Sequence, residues 1–119
     1  MFEHPLAIPA AVELQRSIGW DRIAARVRDL NSAFREGAGK IRGVMLHTPN
    51  DPEISAGISG FEVDGLKADD VEMKLAARKF RTNSSPYKVS YARVAAGVTN
   101  FPEEIEAVLR EIRAIATKV

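Results

Sequence analysis

The chain has 119 residues, 45% hydrophobic and 28% charged, the size and balance of one globular domain spanning residues 1–119. Seventeen basic and sixteen acidic residues leave a net charge of +1, interleaved as in Asp21-Arg22 and Arg26-Val27-Arg28-Asp29, which excludes the strong field that draws nucleic acid or an anionic membrane. The absence of cysteine excludes disulfides, thiolate nucleophiles and thiolate metal sites, and no apolar run approaches the ~18 residues of a membrane span.

The first predicted element is a helix from Leu6 to Ile18, with Ile8, Ala11, Val12 and Ile18 near one face and Pro9 tolerable only in the first turn. After Gly19, the residues Trp20, Ile23, Val27, Leu30 and Phe34 recur at three and four positions, one apolar stripe of a second helix, with Trp20 expected in the core. Arg22, Arg26, Arg28 and Glu36 fall on its wet side, and Gly37-Ala38-Gly39 supplies the glycine signal for its end. Strands are predicted over Ile41–Thr48 and Ile54–Val63, separated by the loop Pro49-Asn50-Asp51-Pro52; Gly57 and Gly60 in the second suggest a bulge or a close backbone approach. Asp69 and Asp70 open a third helix, whose inner face is Val71, Leu75 and Ala76. A short strand over Phe80–Asn83 and another over Lys88–Ala95 follow, the latter with Val89, Tyr91 and Arg93 on one side and Ser90, Ala92 and Val94 on the other. The last helix runs from Pro102 to Thr117 with a stripe of Ile105, Val108, Leu109, Ile112 and Ala116. Paired strands between helices predict an α+β two-layer sandwich, a mostly antiparallel sheet of about four strands with helices on one face.

Chemistry concentrates on Arg93. A guanidinium is a planar, always-charged fork that binds a carboxylate through two parallel hydrogen bonds. The alternative is an edge arginine paired with an acid such as Glu62, or one that simply reaches water. His4 and His47 stand far apart in sequence without acids at ligand spacing, so no metal site is expected. Asp69-Asp70 and Glu103-Glu104 fall at helix starts, where the macrodipole accounts for them. Ser84-Ser85-Pro86 reads as a turn.

The stretch Ser90-Tyr91-Ala92-Arg93-Val94 followed by Asn100-Phe101-Pro102-Glu103-Glu104-Ile105 resembles the closing strand and last helix of class V aminotransferase-like enzymes, which are pyridoxal-phosphate (PLP)-dependent and adopt fold type I. There the pattern runs Arg-x-Ser, then Tyr-Asn-Thr, then a helix starting with Glu-Glu-Ile. Arg93 falls on the substrate-carboxylate arginine, and Asn100, Pro102, Glu103, Glu104 and Ile105 fall on the asparagine and helix start. Ala95, Thr99 and Phe101 depart from the pattern. The last cannot cap the helix as threonine would, a loss of about 1 kcal/mol. Ile8 to Gly19 is similar to the helix leading from the family's large domain, Trp20–Phe34 to the next helix, and Ser55–Phe61 to the glycine-containing second strand. The resemblance spans about residues 6 to 117, corresponds to the family's C-terminal small domain, and extends to its isopenicillin N epimerase-like and cysteine desulfurase-like branches alike.

The resemblance implies an amino-acid carboxylate as ligand of Arg93 and a cofactor, PLP, held by parts of the family's large domain that this chain lacks. Lys40, Lys67, Lys74, Lys79, Lys88 and Lys118 do not stand in the family's cofactor-lysine context, so no cofactor-binding and no catalytic residue is expected here. Lys88 comes nearest to Arg93 and reads as a solvated strand lysine. A fragment or truncated homologue, inactive alone, is one expectation; a stand-alone binding or self-assembly module without catalysis is the other. Surface once covered by a large domain implies a homodimer, or a separate chain supplying that domain, and neither nucleic acid nor membrane as partner. Met1-Phe2-Glu3-His4-Pro5 lacks a signal-peptide pattern, and a cytoplasmic location is expected.

Overall fold

In the computed structural model, which describes residues 3–117 and the side chains from residue 7 onward, the elements follow the expected order. They are α1 (Glu3–Ile18), α2 (Trp20–Ala38), β1 (Val44–Leu46), β2 (Ser59–Val63), α3 (Ala68–Ala76), β3 (Asn83–Ser84), β4 (Ala92–Val94) and α4 (Pro102–Ala116). The strands form one antiparallel sheet in the order β1-β2-β4-β3. None of the described helices is long and apolar enough to cross a membrane.

The core lies between one sheet face and the helices. Phe61, Val63, Ala92 and Val94 alternate inward from β2 and β4, and meet Leu30 and Phe34 of α2, Val71 and Leu75 of α3, and Ile105, Val108 and Ile112 of α4. Each such fully buried large side chain contributes about 1.5–3 kcal/mol. Phe34 meets Phe61 edge-to-face, ring centroids 5.7 Å apart. Ile115 of α4 joins the core alongside the predicted stripe.

Several expectations are corrected. Pro9 lies inside α1 rather than in its first turn, so α1 tolerates a missing backbone donor where it is exposed. Trp20 is 52% exposed, because Gly19, at φ +99°, breaks the chain between α1 and α2 and starts α2 beyond the end of the core. The end of α2 does fall within Gly37-Ala38-Gly39, the helix running to Ala38 with Gly39 as its C-cap, while Gly37 lies inside the last turn. Its missing side chain serves packing instead: a Cβ there would lie 2.3 Å from Leu109 Cδ1 of α4. Ala76, expected inward, is exposed.

The strands are shorter than predicted. Residues 41–43 form a turn, with Gly43 at φ +80°. Residues 51–55 fold into a turn on Asp51, whose carbonyl accepts from Ser55 N at 2.9 Å and whose Oδ1 accepts from Glu53 N at 2.9 Å. Gly57 makes the close approach its sequence suggested: a Cβ would lie 2.8 Å from Val27 Cγ1 of α2. Gly60 leaves ordinary room for a Cβ. β3 falls on Asn83–Ser84, shorter than the predicted Phe80–Asn83 and overlapping it at Asn83, and residues 85–91 close a tight connection in which Ser85 Oγ accepts from Tyr91 N at 2.8 Å.

At the start of α4, Phe101 offers no acceptor, and Glu104 compensates. Its carboxylate accepts from Phe101 N at 2.7 Å and from Asn100 Nδ2 at 3.2 Å. The backbone bond, then the Asn100 amide, holds the Glu104 carboxyl below the usual carboxylate range.

Candidate functional site

The face of the sheet turned away from the helices carries the candidate ligand-binding side chains. Ladder register pairs Arg93 of β4 with Gly60 of β2 on one side and Asn83 of β3 on the other. Because Ala92 and Val94 point into the core, Arg93 and Tyr91 point to the open face, as the alternation predicted. His47, just past β1, donates its backbone N–H to Gly60 O at 2.9 Å and so joins the same row.

Arg93 is half-buried and underused. One terminal nitrogen donates to Ser84 O at 3.2 Å, while its Nε is buried without an acceptor. An unmatched buried donor costs about 1–3 kcal/mol. Glu62, the acid weighed as its partner, turns elsewhere: Glu62 Oε2 lies 3.3 Å from His47 Nε2. The His47 ring stacks on Tyr91, centroids 4.0 Å apart and planes 26° off parallel. Thr48 Oγ1 accepts from Gly60 N at 2.9 Å and steadies the floor between these groups. Sequence spacing alone did not expose this cluster, since His47, Glu62 and Tyr91 meet only through strand register.

A second arginine shows what a saturated guanidinium looks like. Arg35, 2% exposed on the inner side of α2, donates from Nε to Asn50 Oδ1 at 3.1 Å, from one terminal nitrogen to Ala56 O at 3.1 Å and Ser59 Oγ at 3.3 Å, and from the other to Ser32 Oγ at 3.2 Å. Burial without a carboxylate lowers its pKa from the ordinary value. Arg35 pins the connection before β2 to α2. Asn31, one turn earlier and also buried, donates to Ala96 O at 2.9 Å and accepts from Ala96 N at 3.2 Å, tying α2 to the chain beyond β4. The signal for both was present: Asn31 and Arg35 are polar residues four apart, interleaved with Leu30, Phe34 and Ala38 on the apolar side.

A cleft of about 500 Å³ lies at the turn between β2 and α3 and is lined by Val63, Asp64, Leu66, Lys67 and Asp69 among others; Arg93 is not part of it. Among the described residues no three His, Asp or Glu side chains converge as metal ligands. The side chain of His4 lies outside the described residues.

No family model matches the sequence. No curated protein matches it either. Solved structures do. A cysteine desulfurase from Thermococcus onnurineus NA1 superposes with a TM-score of 0.85 at 22% identity, over 92% of this chain and 30% of that one. A cysteine desulfurase from Escherichia coli matches at TM-score 0.77 and 13% identity, over 92% and 29%. The cystine C–S lyase C-DES, in a variant with glycine covalently linked to its PLP cofactor, matches at TM-score 0.76 and 20% identity, over 87% and 27%. The fold is that of a small domain of cysteine desulfurase-like enzymes. The chain spans under a third of the length of each of these proteins.

The described residues hold no evident place for the PLP that C-DES carries. Such a site needs a lysine beside an acid and a phosphate cup. Lys40, Lys67, Lys74, Lys79 and Lys88 are all exposed. Lys118 lies outside the described residues.

Proposed function

We propose that this chain is the small C-terminal domain, or a truncated homologue, of a class V aminotransferase-like PLP-dependent enzyme, inactive alone, in which Arg93 is the substrate-carboxylate-binding residue. One observation carries this: on a fold shared with cysteine desulfurases, the arginine on the open sheet face keeps an unpartnered Nε, whereas buried Arg35 meets protein acceptors at all three nitrogens. A carboxylate is the acceptor that such a fork fits in two parallel bonds. In a complete enzyme, PLP would supply the electron sink and a large domain the lysine; this domain would contribute orientation of the amino acid through Arg93. The absence of cysteine suits a reducing cytoplasm.

The test has two arms. Titration with PLP, followed at ~420 nm for an aldimine and by borohydride trapping, is expected to label no lysine stoichiometrically; one labelled lysine would make the isolated chain a cofactor-binding protein. Propionate titrated into the chain is expected to shift the resonances of Arg93 and its neighbours, and Arg93→Ala to abolish the shifts. Shifts that survive the substitution would remove Arg93 from the role.

A second reading, a self-assembling module, is favoured by exposed apolar side chains on and next to α1. Ile8, Leu14 and Trp20 are each more than half exposed. Exposed apolar surface is a common mark of an interface, and a homodimer is the form proposed for the isolated chain.

A further inference from the structure

The ladder between β3 and β4 is cut short. Its register pairs Ser84 with Ala92 and Asn83 with Arg93, so the next steps would set Thr82 against Val94 and Arg81 against Ala95. Those steps do not form. Beyond Asn83–Arg93 the two chains part, and a cleft of about 310 Å³ opens between them, with Lys79, Arg81 and Thr82 on one wall and Val94 and Ala95 on the other. Neither Arg81 nor Ala95 makes a backbone hydrogen bond, and Thr82 Oγ1 is buried without a partner. The chain enters this wall from α3 through Lys79 at φ +67°, where Phe80 N donates to Leu75 O at 3.0 Å, a helix stop that glycine usually fills. A lysine in that conformation costs backbone strain and sets a cation beside the cleft. Phe80, Ile105 and Val108 give the cleft an apolar floor.

We propose that this cleft binds the C-terminal end of an extended peptide whose last residue is small and apolar. A wedge closed at Asn83–Arg93 and open at its other end admits a chain end and not a passing segment. Peptide backbone carries the alternating donors and acceptors that Arg81 and Ala95 lack, as when a strand is added to a sheet. Charge selects the carboxyl terminus over the amino terminus. Lys79 and Arg81, both exposed, are the cations of the lining, whereas its one acid, Glu104, is committed to Phe101 N at 2.7 Å and Asn100 Nδ2 at 3.2 Å. The unmatched Thr82 hydroxyl is a donor for the same carboxylate. The volume lies at the small end of the range for ligand sites, about 300–1,000 Å³, so only the last residues of a peptide enter. Arg93 lines no part of the cleft, and the site is separate from the one on the open sheet face.

The assay uses the whole chain and two probes, the tripeptide acetyl-Ala-Ala-Val with a free carboxylate and the same peptide as its C-terminal amide. Affinities come from backbone amide shifts, and the same spectra report whether each variant is folded. The acid is expected to bind about tenfold tighter than the amide, the order of one charge-assisted hydrogen bond, and to shift the amides of Thr82 and Ala95 most. Thr82→Val removes a hydroxyl that bonds to nothing in the fold, and should weaken the acid severalfold while leaving the amide little changed. Lys79→Gln combined with Arg81→Gln should bring the acid down to the level of the amide. Equal affinities in the unmodified chain, a preference untouched by either variant, or no binding of the acid at millimolar concentration would overturn the site. Loss of the peptide shifts in Arg93→Ala, with Thr82→Val without effect, would overturn it too, by placing the carboxylate on the open sheet face.

Discussion

At the scale of single residues, two arginines of identical chemistry are separated by how many acceptors surround them. Arg35 is buried among four oxygens from Ser32, Asn50, Ala56 and Ser59, none of them charged. Removing it strands those oxygens and opens a cavity in the core, so Arg35→Ala should destabilise the fold by about 3–5 kcal/mol in urea denaturation. Arg93→Ala removes one long hydrogen bond and a donor that was unmatched, and should cost under about 1 kcal/mol. The contrast is the informative result. Comparable losses would mean that Arg93 is a structural residue too, and the case for a ligand at that position would weaken.

At the scale of elements, α2 and α4 pack at a point where one of them has no side chain. A Cβ on Gly37 would stand 2.3 Å from Leu109 Cδ1, with Leu109 Cδ2 and Cγ at 3.2 and 3.3 Å, so the whole leucine end would have to move. Alanine is favoured over glycine within a helix by about 1 kcal/mol, and overpacking typically costs 1–3 kcal/mol. Gly37→Ala is therefore expected to be destabilising overall, despite the better propensity. Combining it with Leu109→Ala should recover the propensity gain, giving a non-additive cycle in thermal or denaturant unfolding. Additive effects would show that the two helices do not meet through this pair. The start of α4 makes a related point: Phe101 cannot cap, and the carboxylate of Glu104 takes over its backbone N–H at 2.7 Å.

At the scale of the whole molecule, the open sheet face and α1 are the surfaces left uncovered by its own helices. Ile8 and Leu14 along α1, and Trp20 at the start of α2, expose apolar area that a folded monomer would leave in water. The chain is expected to sediment as a dimer at high micromolar concentration, and Trp20→Lys together with Leu14→Lys to shift it to monomer without loss of helicity. Monomeric sedimentation of the unmodified chain at millimolar concentration would rule the homodimer out.

Periodicity alone determined the number, type and order of the elements, because burial of one face imposes a repeat of 3.6 residues on a helix and 2 on a strand whatever the neighbours are. It also put Arg93 on a different side of β4 from Ala92 and Val94. The lengths of the strands were not legible. Turns fixed by Asp51, Gly43 and Ser85 take residues that a β-rich composition would assign to strands, and those turns depend on contacts along and beyond the local chain. Trp20 misled because its spacing fits the stripe of α2 while its place at the helix end lies past the core. The reason for Gly37, the fourfold clasp of Arg35, and the meeting of His47, Glu62 and Tyr91 were decided by tertiary structure only. Each joins residues from separate elements, and a side chain's partners across a sheet or between helices follow from register and docking, which no single segment encodes.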